Sequence, residues 1–445
     1  VRDSDLTTRR RVLDLLRRHG WNATSFQILE PDFVYWFDDD EAVVAYVDTG
    51  HAWVVAGGPV AAFARLPEIV AGFINAARAR RRRVVFFAVE QRFVDAVDLP
   101  AIHVGEQPSW SPAAWDARHR GHRTMKEQLR RARAKGVRVA RVTPDDAMRG
   151  EIAALVERWQ ESKPMPPMAF LVELHPFVFP EERRYYVARA GERLAGVLVA
   201  VPVYDRGGWF FEDLLRDPAA PNGTIETLVD AAMRDVAADG CTFVTLGLAP
   251  LAGDARWLQL ARRSLRGFYN FAGLRAFKAK FRPDAWDPIY LVYRDRGGAL
   301  VALYDVLSAF ARGRVVRFAI AAVFRAPAIV LRALAILLVP WIAILIASDT
   351  RRWFPSARVK HAWIAFDAVM AAMLFSLAAR WRRPLALAAC AATSADVVLT
   401  AAQALAHNLP RRRRGWRELA IIGASVVAPL LATAILAGGL RRRQT

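Results

Sequence analysis

Cysteine is almost missing from this chain: its 445 residues include only Cys241 and Cys390. The two fall in regions of different composition, so a disulfide framework is excluded as the source of stability, which fits a reducing compartment. The first residues, VRDSDLTTRRR, contain no apolar run, and no cleavable signal peptide is expected from them. A nucleophile-elbow serine, a P-loop and a dinucleotide fingerprint are also lacking. Histidine is sparse, with eight in all. His119 and His122 have helical spacing but stand among arginines, with no acidic or thiol ligand beside them, so no metal is expected. Acidic residues are the minority charge. Against 63 Lys and Arg there are 43 Asp and Glu, giving a formal net charge of +20 and an isoelectric point near 10.9. Such a balance selects polyanionic partners, either nucleic acid or an anionic bilayer surface.

What the chain does have is apolar material, 54% of its residues, enough for the cores of two or three domains. Leu6, Val12, Leu15 and Leu16 predict a helix over 5–19, closed by Gly20. A meander is expected next, over 25–29, 33–37, 42–47 and 52–56, then a helix over 66–82 and an apolar strand over 84–89. The second half repeats that order. Strands are expected over 185–190, 194–204 and 208–215, with Gly191-Glu192 as a hairpin turn, then a helix over 224–239, a strand over 242–248 and a helix over 254–266. The expected organisation is therefore a first mixed α/β unit (1–115), a basic linking helix (116–135) that begins a second, catalytic unit (116–300), a connector (301–325) and a hydrophobic region (326–445).

In that last region four apolar segments, near 326–347, 362–379, 384–406 and 418–440, approach the roughly 20 residues that span a bilayer core. Arg332, Asp367 and Asp396 interrupt them. Ionised groups are costly at that depth, so the two aspartates are functional candidates by default, with pairing to Arg332 or Gln403 as the plainer alternative. Every connecting segment is basic, so the positive-inside rule does not fix an orientation. The connector is expected to hold one amphipathic helix, whose Arg312, Arg314 and Arg317 suit a membrane surface.

Candidate chemistry concentrates in the second unit. Glu212 and Asp213 end an apolar run, where burial raises a carboxyl pKa towards the range useful for proton transfer. The plainer alternative is that strand alternation turns one of them to solvent and the other to a nearby arginine such as Arg216. Asn222 or Thr224, flanking Gly223, is a candidate cap for the following helix, whose N-terminal N–H groups would face a ligand beyond the strand end. Glu226 lies in its first turn, where it complements the helix dipole. Lys278, Lys280 and Arg282 alternate with Phe277, Phe281 and Trp286, a pattern shared by phosphate sites and by snorkelling helices. Asn270, beside Tyr269, is either a carbonyl-orienting amide or a turn residue. Along the linking helix Arg123, Lys126, Arg130 and Arg133 form either a solvated face or a phosphate-binding surface.

Three stretches, DLLRDPAAPNGT, TLGLAPLAG and FYNFAGLRAFKAKFRPDAWDPIYL, resemble the synthase domain of the lysyl-phosphatidylglycerol synthase (multiple peptide resistance factor) family, DUF2156-like, over residues 12–295. The chain departs from the family at Leu248, Ala252 and Thr224-Ile225-Glu226. In addition, its hydrophobic region follows the synthase part, whereas the family's larger transport domain precedes it. The resemblance implies a tandem acetyltransferase-like (GNAT-like) α/β fold followed by an all-α transmembrane region. It also implies transfer of an amino acid from aminoacyl-tRNA to a lipid hydroxyl, most simply that of phosphatidylglycerol, a chemistry tied to antimicrobial peptide resistance.

Under that resemblance Asp213, Asn270 and Glu226 are the catalytic candidates. Asn222, Gly223, Thr224, Tyr269, Lys278, Lys280 and Arg282 bind substrate, and Arg123, Lys126, Arg130 and Arg133 hold tRNA or lipid phosphate. No cofactor is implied. Coenzyme-A-dependent relatives carry an Arg/Gln-x-x-Gly-x-Gly/Ala turn; RAKGVR at 133–138 ends in Arg instead, and no other stretch does better, in keeping with a different acyl donor. The implied partners are aminoacyl-tRNA, an anionic phospholipid and a bacterial cytoplasmic membrane with the catalytic part on the cytoplasmic side, and a homo-oligomer is left open. Two other readings remain: a tRNA-dependent ligase for a peptide or small amine, and a basic membrane protein that only binds anionic lipid.

Overall fold

The computed structural model describes residues 3–163, 167–252, 271–294, 298–318, 321, 327–349, 353–411 and 416–442. The chain divides into two compact units, one ending at Val315 and the other beginning at Val316.

The first unit starts with α1 (Asp3–His19), whose Val12, Leu13, Leu15 and Leu16 are buried. Residues Ala23–Leu29 then form a 3-10 turn, where the sequence pattern predicts an extended strand. Phe26, Ile28 and Leu29 all join one apolar cluster, whereas the adjacent Ile28 and Leu29 would point to opposite faces of a strand. The expected meander follows as β1 (Val34–Phe37), β2 (Val43–Asp48) and β3 (Ala52–Ala56). Helix α2 (Leu66–Ala79) crosses over to β4 (Arg83–Glu90), which lies parallel to β3. Next come α3 (Gln91–Ala96) and β5 (Ala101–Trp110).

The single basic helix expected over 116–135 is two, α4 (Trp115–His119) and α5 (Arg123–Ala134). The break falls at Gly121 and at His122, whose ψ of 86° is not helical. Trp115 fixes α4 by donating its indole N–H to Asp230 at 2.9 Å.

The second half of this unit runs β6 (Val137–Val142), α6 (Asp146–Glu161), β7 (Arg184–Ala190), β8 (Arg193–Val203), β9 (Gly208–Arg216), α7 (Thr224–Ala238) and β10 (Phe243–Thr245). Its order of meander, helix and parallel strand repeats the first half, as expected, with β10 parallel to β9. The strand expected over 242–248 stops at Thr245, however, and the chain rejoins the sheet as β11 (Ala249–Pro250) on β5. The helix expected over 254–266 lies outside the described residues. After α8 (Phe271–Ala279), β12 (Ala285–Tyr293) inserts between β4 and β5.

One sheet thus runs β1-β2-β3-β4-β12-β5-β10-β9-β8-β7-β6, across the boundary expected at residue 115. Buried side chains cover both its faces, with α2 and α7 packed on equivalent apolar layers of the two halves.

The last element of this unit, α9 (Gly298–Phe310), falls in the region read as a connector. Ala302, Val306 and Ala309 bury one of its faces in the core, and Asp305, 1% exposed, accepts two hydrogen bonds from Arg83 at 2.8 and 2.6 Å. A helix tied down in this way belongs to the folded unit.

The second unit is helical: α10 (Pro327–Ala347), α11 (Ala357–Ala379), α12 (Arg383–Gln403), which continues through a π turn at Ala404–Asn408, and α13 (Trp416–Arg442). Each contributes to a helical span of 18–26 residues that is apolar on average and long enough to cross a membrane. Large apolar side chains such as Leu337, Val339, Val398, Leu405 and Val427 point outward, as they do where the solvent is lipid.

Candidate active site

Strands β9 and β10 run side by side only as far as Phe210 and Thr245. Beyond that point β9 continues to Arg216 against β8, while the chain after Thr245 turns away to β5. The sheet opens between them, at the end where α7 begins.

Local sequence enforces the turn away. Thr245 Oγ1 donates to the Pro108 carbonyl at 2.8 Å and accepts from the Gly247 N–H at 2.9 Å. Gly247 has φ 71°, and a Cβ there would lie 2.6 Å from the Phe210 ring, so this residue must be glycine. Lys278 completes the lip. Its ammonium donates to the carbonyls of Leu246, Gly247 and Leu248, each at 2.8 Å. Burial pushes this lysine down to about 7, and three acceptors match the three N–H bonds that only the protonated amine possesses. The expectation that Lys278 holds a phosphate is therefore corrected: the side chain is enclosed, and it fixes main chain.

The opposite lip is a β-bulge. Val199 faces Asp213 and Ala200 faces Phe211, so Glu212 is the extra residue on β9. The bulge breaks the alternation that would have sent Glu212 to solvent, and both carboxylates are buried. Glu212 meets Arg183, whose side chain is fully enclosed and whose charge also acts on Asp213. Its Nη1 donates to Glu212 Oε2 at 2.5 Å and its Nε to the Val178 carbonyl at 2.7 Å, while Nη2 lies 3.8 Å from Glu30 Oε1.

Three carboxyl groups around one guanidinium are not all ionised at once. Burial, and then the Glu212 charge, pushes Asp213 up to about 8. Glu30 is raised well above the usual carboxylate range by the same two causes. For Arg183, burial acts to lower the pKa, but Glu212, Asp213 and Glu30 outweigh it and raise it. Four atoms of this cluster, Glu30 Oε2, Arg183 Nη2, Glu212 Oε1 and Asp213 Oδ2, are buried without a hydrogen-bond partner in the protein.

Above the opening, α7 starts at Gly223, φ 94°, where a Cβ would sit 2.6 Å from the Gln128 carbonyl of α5. Neither expected cap is formed. Asn222 Oδ1 accepts from Arg216 at 3.0 Å, and the Thr224 hydroxyl donates to the Pro221 carbonyl at 2.7 Å. Asp217 holds this loop, taking hydrogen bonds from Arg158 at 3.0 Å, Arg193 at 2.9 Å and the Ala219 N–H at 2.9 Å. Glu226 forms an ion pair with Lys280. The exposed Arg282 stands near His119 and His122, both lowered by burial first and further by its charge.

On α5, Met125, Leu129 and Ala132 face inward, leaving Arg123, Lys126, Arg130 and Arg133 exposed. Arg130 is bound to Glu127 at 2.8 Å, and Arg133 lies 3.9 Å from Asp230. Tyr269 and Asn270 lie outside the described residues. The structure thus groups Asp213 with Glu30, Arg183 and Glu212, and Glu226 with Lys280. Among the described residues Asp213 and Lys278 share no hydrogen-bond or ion-pair partner. Sequence reasoning misses Arg183 and Glu30. They are far from Asp213 in the chain, and nothing in EERRYY separates Arg183 from its neighbour Arg184.

A family model described as phosphatidylglycerol lysyltransferase, C-terminal, matches residues 13–293. The phosphatidylglycerol lysyltransferase of Bacillus subtilis is 24% identical over 318 residues, covering 66% of this chain and 36% of that protein. An uncharacterised protein of Corynebacterium glutamicum is 27% identical over 307 residues, covering 63% and 38%. The chain therefore spans little more than a third of the length of these curated relatives. Among solved structures, the C-terminal (DUF2156) domain of a lysylphosphatidylglycerol synthetase from Agrobacterium fabrum superposes with a TM-score of 0.60 at 23% identity, covering 69% of this chain and 98% of that one. L-PGS from Bacillus licheniformis gives 0.59 at 21%, covering 68% and 96%. These likenesses show that the first unit shares the fold of those two domains.

Proposed function

The chain belongs to the phosphatidylglycerol lysyltransferase C-terminal family, and from that membership we propose that its first unit moves an aminoacyl group from the terminal ester of a charged tRNA to a hydroxyl of an anionic phospholipid, phosphatidylglycerol in the first instance. The reaction exchanges one ester for another. The lipid hydroxyl oxygen bonds to the acyl carbon, the bond from that carbon to the ribose oxygen breaks, and the hydroxyl proton ends on the ribose oxygen. Little driving force is needed, so alignment, proton transfer and stabilisation of the tetrahedral oxyanion supply the rate.

The observation that carries this reading is the cluster of unpartnered polar atoms around Asp213. Leaving such a group unpaired costs about 1–3 kcal/mol each, a loss retained where a reacting molecule supplies the missing bonds. Asp213 takes the proton from the attacking hydroxyl and returns it to the leaving oxygen. A group titrating near 8 does both at neutral pH. Arg183, with Nη2 free of a hydrogen-bond acceptor, is the donor in this cluster that would meet the oxyanion. Lys280, held by Glu226, together with Arg282, Arg123 and Lys126, supplies positive charge for phosphate on the α5 and α7 side. Asn270 and Tyr269 keep their proposed parts by resemblance alone. Use of tRNA places this unit on the cytoplasmic face of the membrane.

The test is to incubate the purified full chain with tRNA charged with one radiolabelled amino acid at a time and phosphatidylglycerol vesicles. Label should pass into the organic phase for at least one amino acid, and pre-treatment with ribonuclease should prevent it. Absence of lipid-borne label for every amino acid would refute the reading.

A further inference from the structure

In the second unit the four spans leave a cavity of about 680 Å³ between them, in the size range of small-ligand pockets. Most of its wall is apolar, yet Asp367 from α11 and Asp396 from α12 face it, and no Lys, Arg or His does among the described residues. Asp367 accepts the indole N–H of Trp341, and Asp396 accepts the Thr400 hydroxyl at 2.7 Å. Such neutral donors orient a carboxylate without cancelling its charge. The two carboxylates are close enough to repel one another.

Neither plainer partner relieves them. Arg332 is exposed and absent from the wall. Gln403 lines the cavity, but its amide oxygen accepts from Trp363 at 2.8 Å and its amide nitrogen donates to the Trp353 carbonyl at 3.3 Å. Leu337 and Ile344 both line the cavity and are more than half exposed on the outer surface. The cavity wall is therefore continuous with the face that meets acyl chains.

We propose that this cavity binds a membrane lipid whose headgroup carries a primary ammonium, with the ammonium between Asp367 and Asp396 and the acyl chains leaving past Leu337 and Ile344. Negative potential without a counter-cation selects a cation, and an apolar exit at membrane depth selects one attached to hydrocarbon. An aminoacylated phospholipid is such a ligand. The proposal rests on the function proposed above only for where that lipid comes from.

The experiment measures equilibrium binding of radiolabelled lysyl-phosphatidylglycerol to the full chain in detergent micelles. Saturable binding is expected, displaced by dodecylammonium but not by equal concentrations of phosphatidylglycerol, which lacks the ammonium, or of lysine ethyl ester, which lacks the chains. The double variant Asp367→Asn and Asp396→Asn should bind at least tenfold more weakly, and the charge-retaining double Glu variant should keep its affinity. Ala428→Phe, which narrows the cavity and leaves both carboxylates in place, should also weaken binding and guards against a misfolded Asn variant. Because the lipid is supplied, binding is read whether or not the chain makes it, and any rate of lipid aminoacylation should be unchanged in all three variants. No saturable binding, full affinity in the Asn variant, or equal displacement by lysine ethyl ester would overturn the proposal.

Discussion

A buried aspartate that titrates near 8 binds a proton in the folded state that it does not bind when unfolded, throughout the range from about pH 4 to about pH 8. Stability contributed by that proton is present at low pH and is lost as the pH rises through the window. Asp213→Asn removes the penalty, so the variant should be the more stable at pH 8, by up to about 5 kcal/mol, and within about 1 kcal/mol of the parent at pH 4.5. Thermal melts at the two pH values check this. A melting temperature for the variant equal to or below the parent's at both would refute the buried, raised carboxyl. Asp213 is legible in the sequence as an acid ending an apolar run. Glu212 is misread there because period-two alternation does not anticipate a bulge. Arg183 and Glu30 cannot be read at all, since their pairing is made by the sheet and a 3-10 turn. Lys278 is misread for a related reason: a lysine among aromatics looks the same whether its acceptors are phosphate oxygens or main-chain carbonyls, and only the turn at 246–248 decides.

Among elements, the proposed function assigns the approach of polyanion to α5 and α7. Gly223 lets them touch, and the outer face of α5 carries Arg123 and Lys126 with no ion pair among the described residues. Reversing both charges, Arg123→Glu with Lys126→Glu, should weaken tRNA binding and flatten its dependence on salt, because fewer counterions are released. The change should be nearly independent of tRNA sequence. Filter binding across a salt series would show it, and an unchanged slope would remove α5 from the tRNA surface. Element types are read well where periodicity is long, as in α1, α2 and α7. They are misread where a short segment serves a turn, as at Ala23–Leu29, or where a glycine interrupts a charged run, as at Gly121. The helix α9 is legible as an amphipathic helix, but not as part of the fold, since it carries apolar residues outside as well as inside, Leu300 at 80% exposed among them. Its inner face and the Asp305–Arg83 pair, which make it part of the fold, join residues more than two hundred positions apart in the chain.

For the whole molecule, the repeated order of meander, helix and strand is visible in the sequence, and it is what makes the two halves of one sheet equivalent. The insertion of β12 between β4 and β5 is not visible, because nothing in a local pattern tells a strand which neighbours it will find. The four apolar spans are legible from length alone, and their internal aspartates acquire a meaning only with the cavity they face. Aminoacyl transfer as proposed runs through proton transfer by Asp213 at the opening between β9 and β10. Its most direct test is the single-turnover rate of aminoacyl transfer from charged tRNA to phosphatidylglycerol, measured from pH 6 to pH 9 for the parent chain and for Asp213→Asn. The parent rate should rise with pH and level off near 8, and the variant should be slower by about a hundredfold or more with no such rise. A variant as fast as the parent, with the same pH profile, would contradict it.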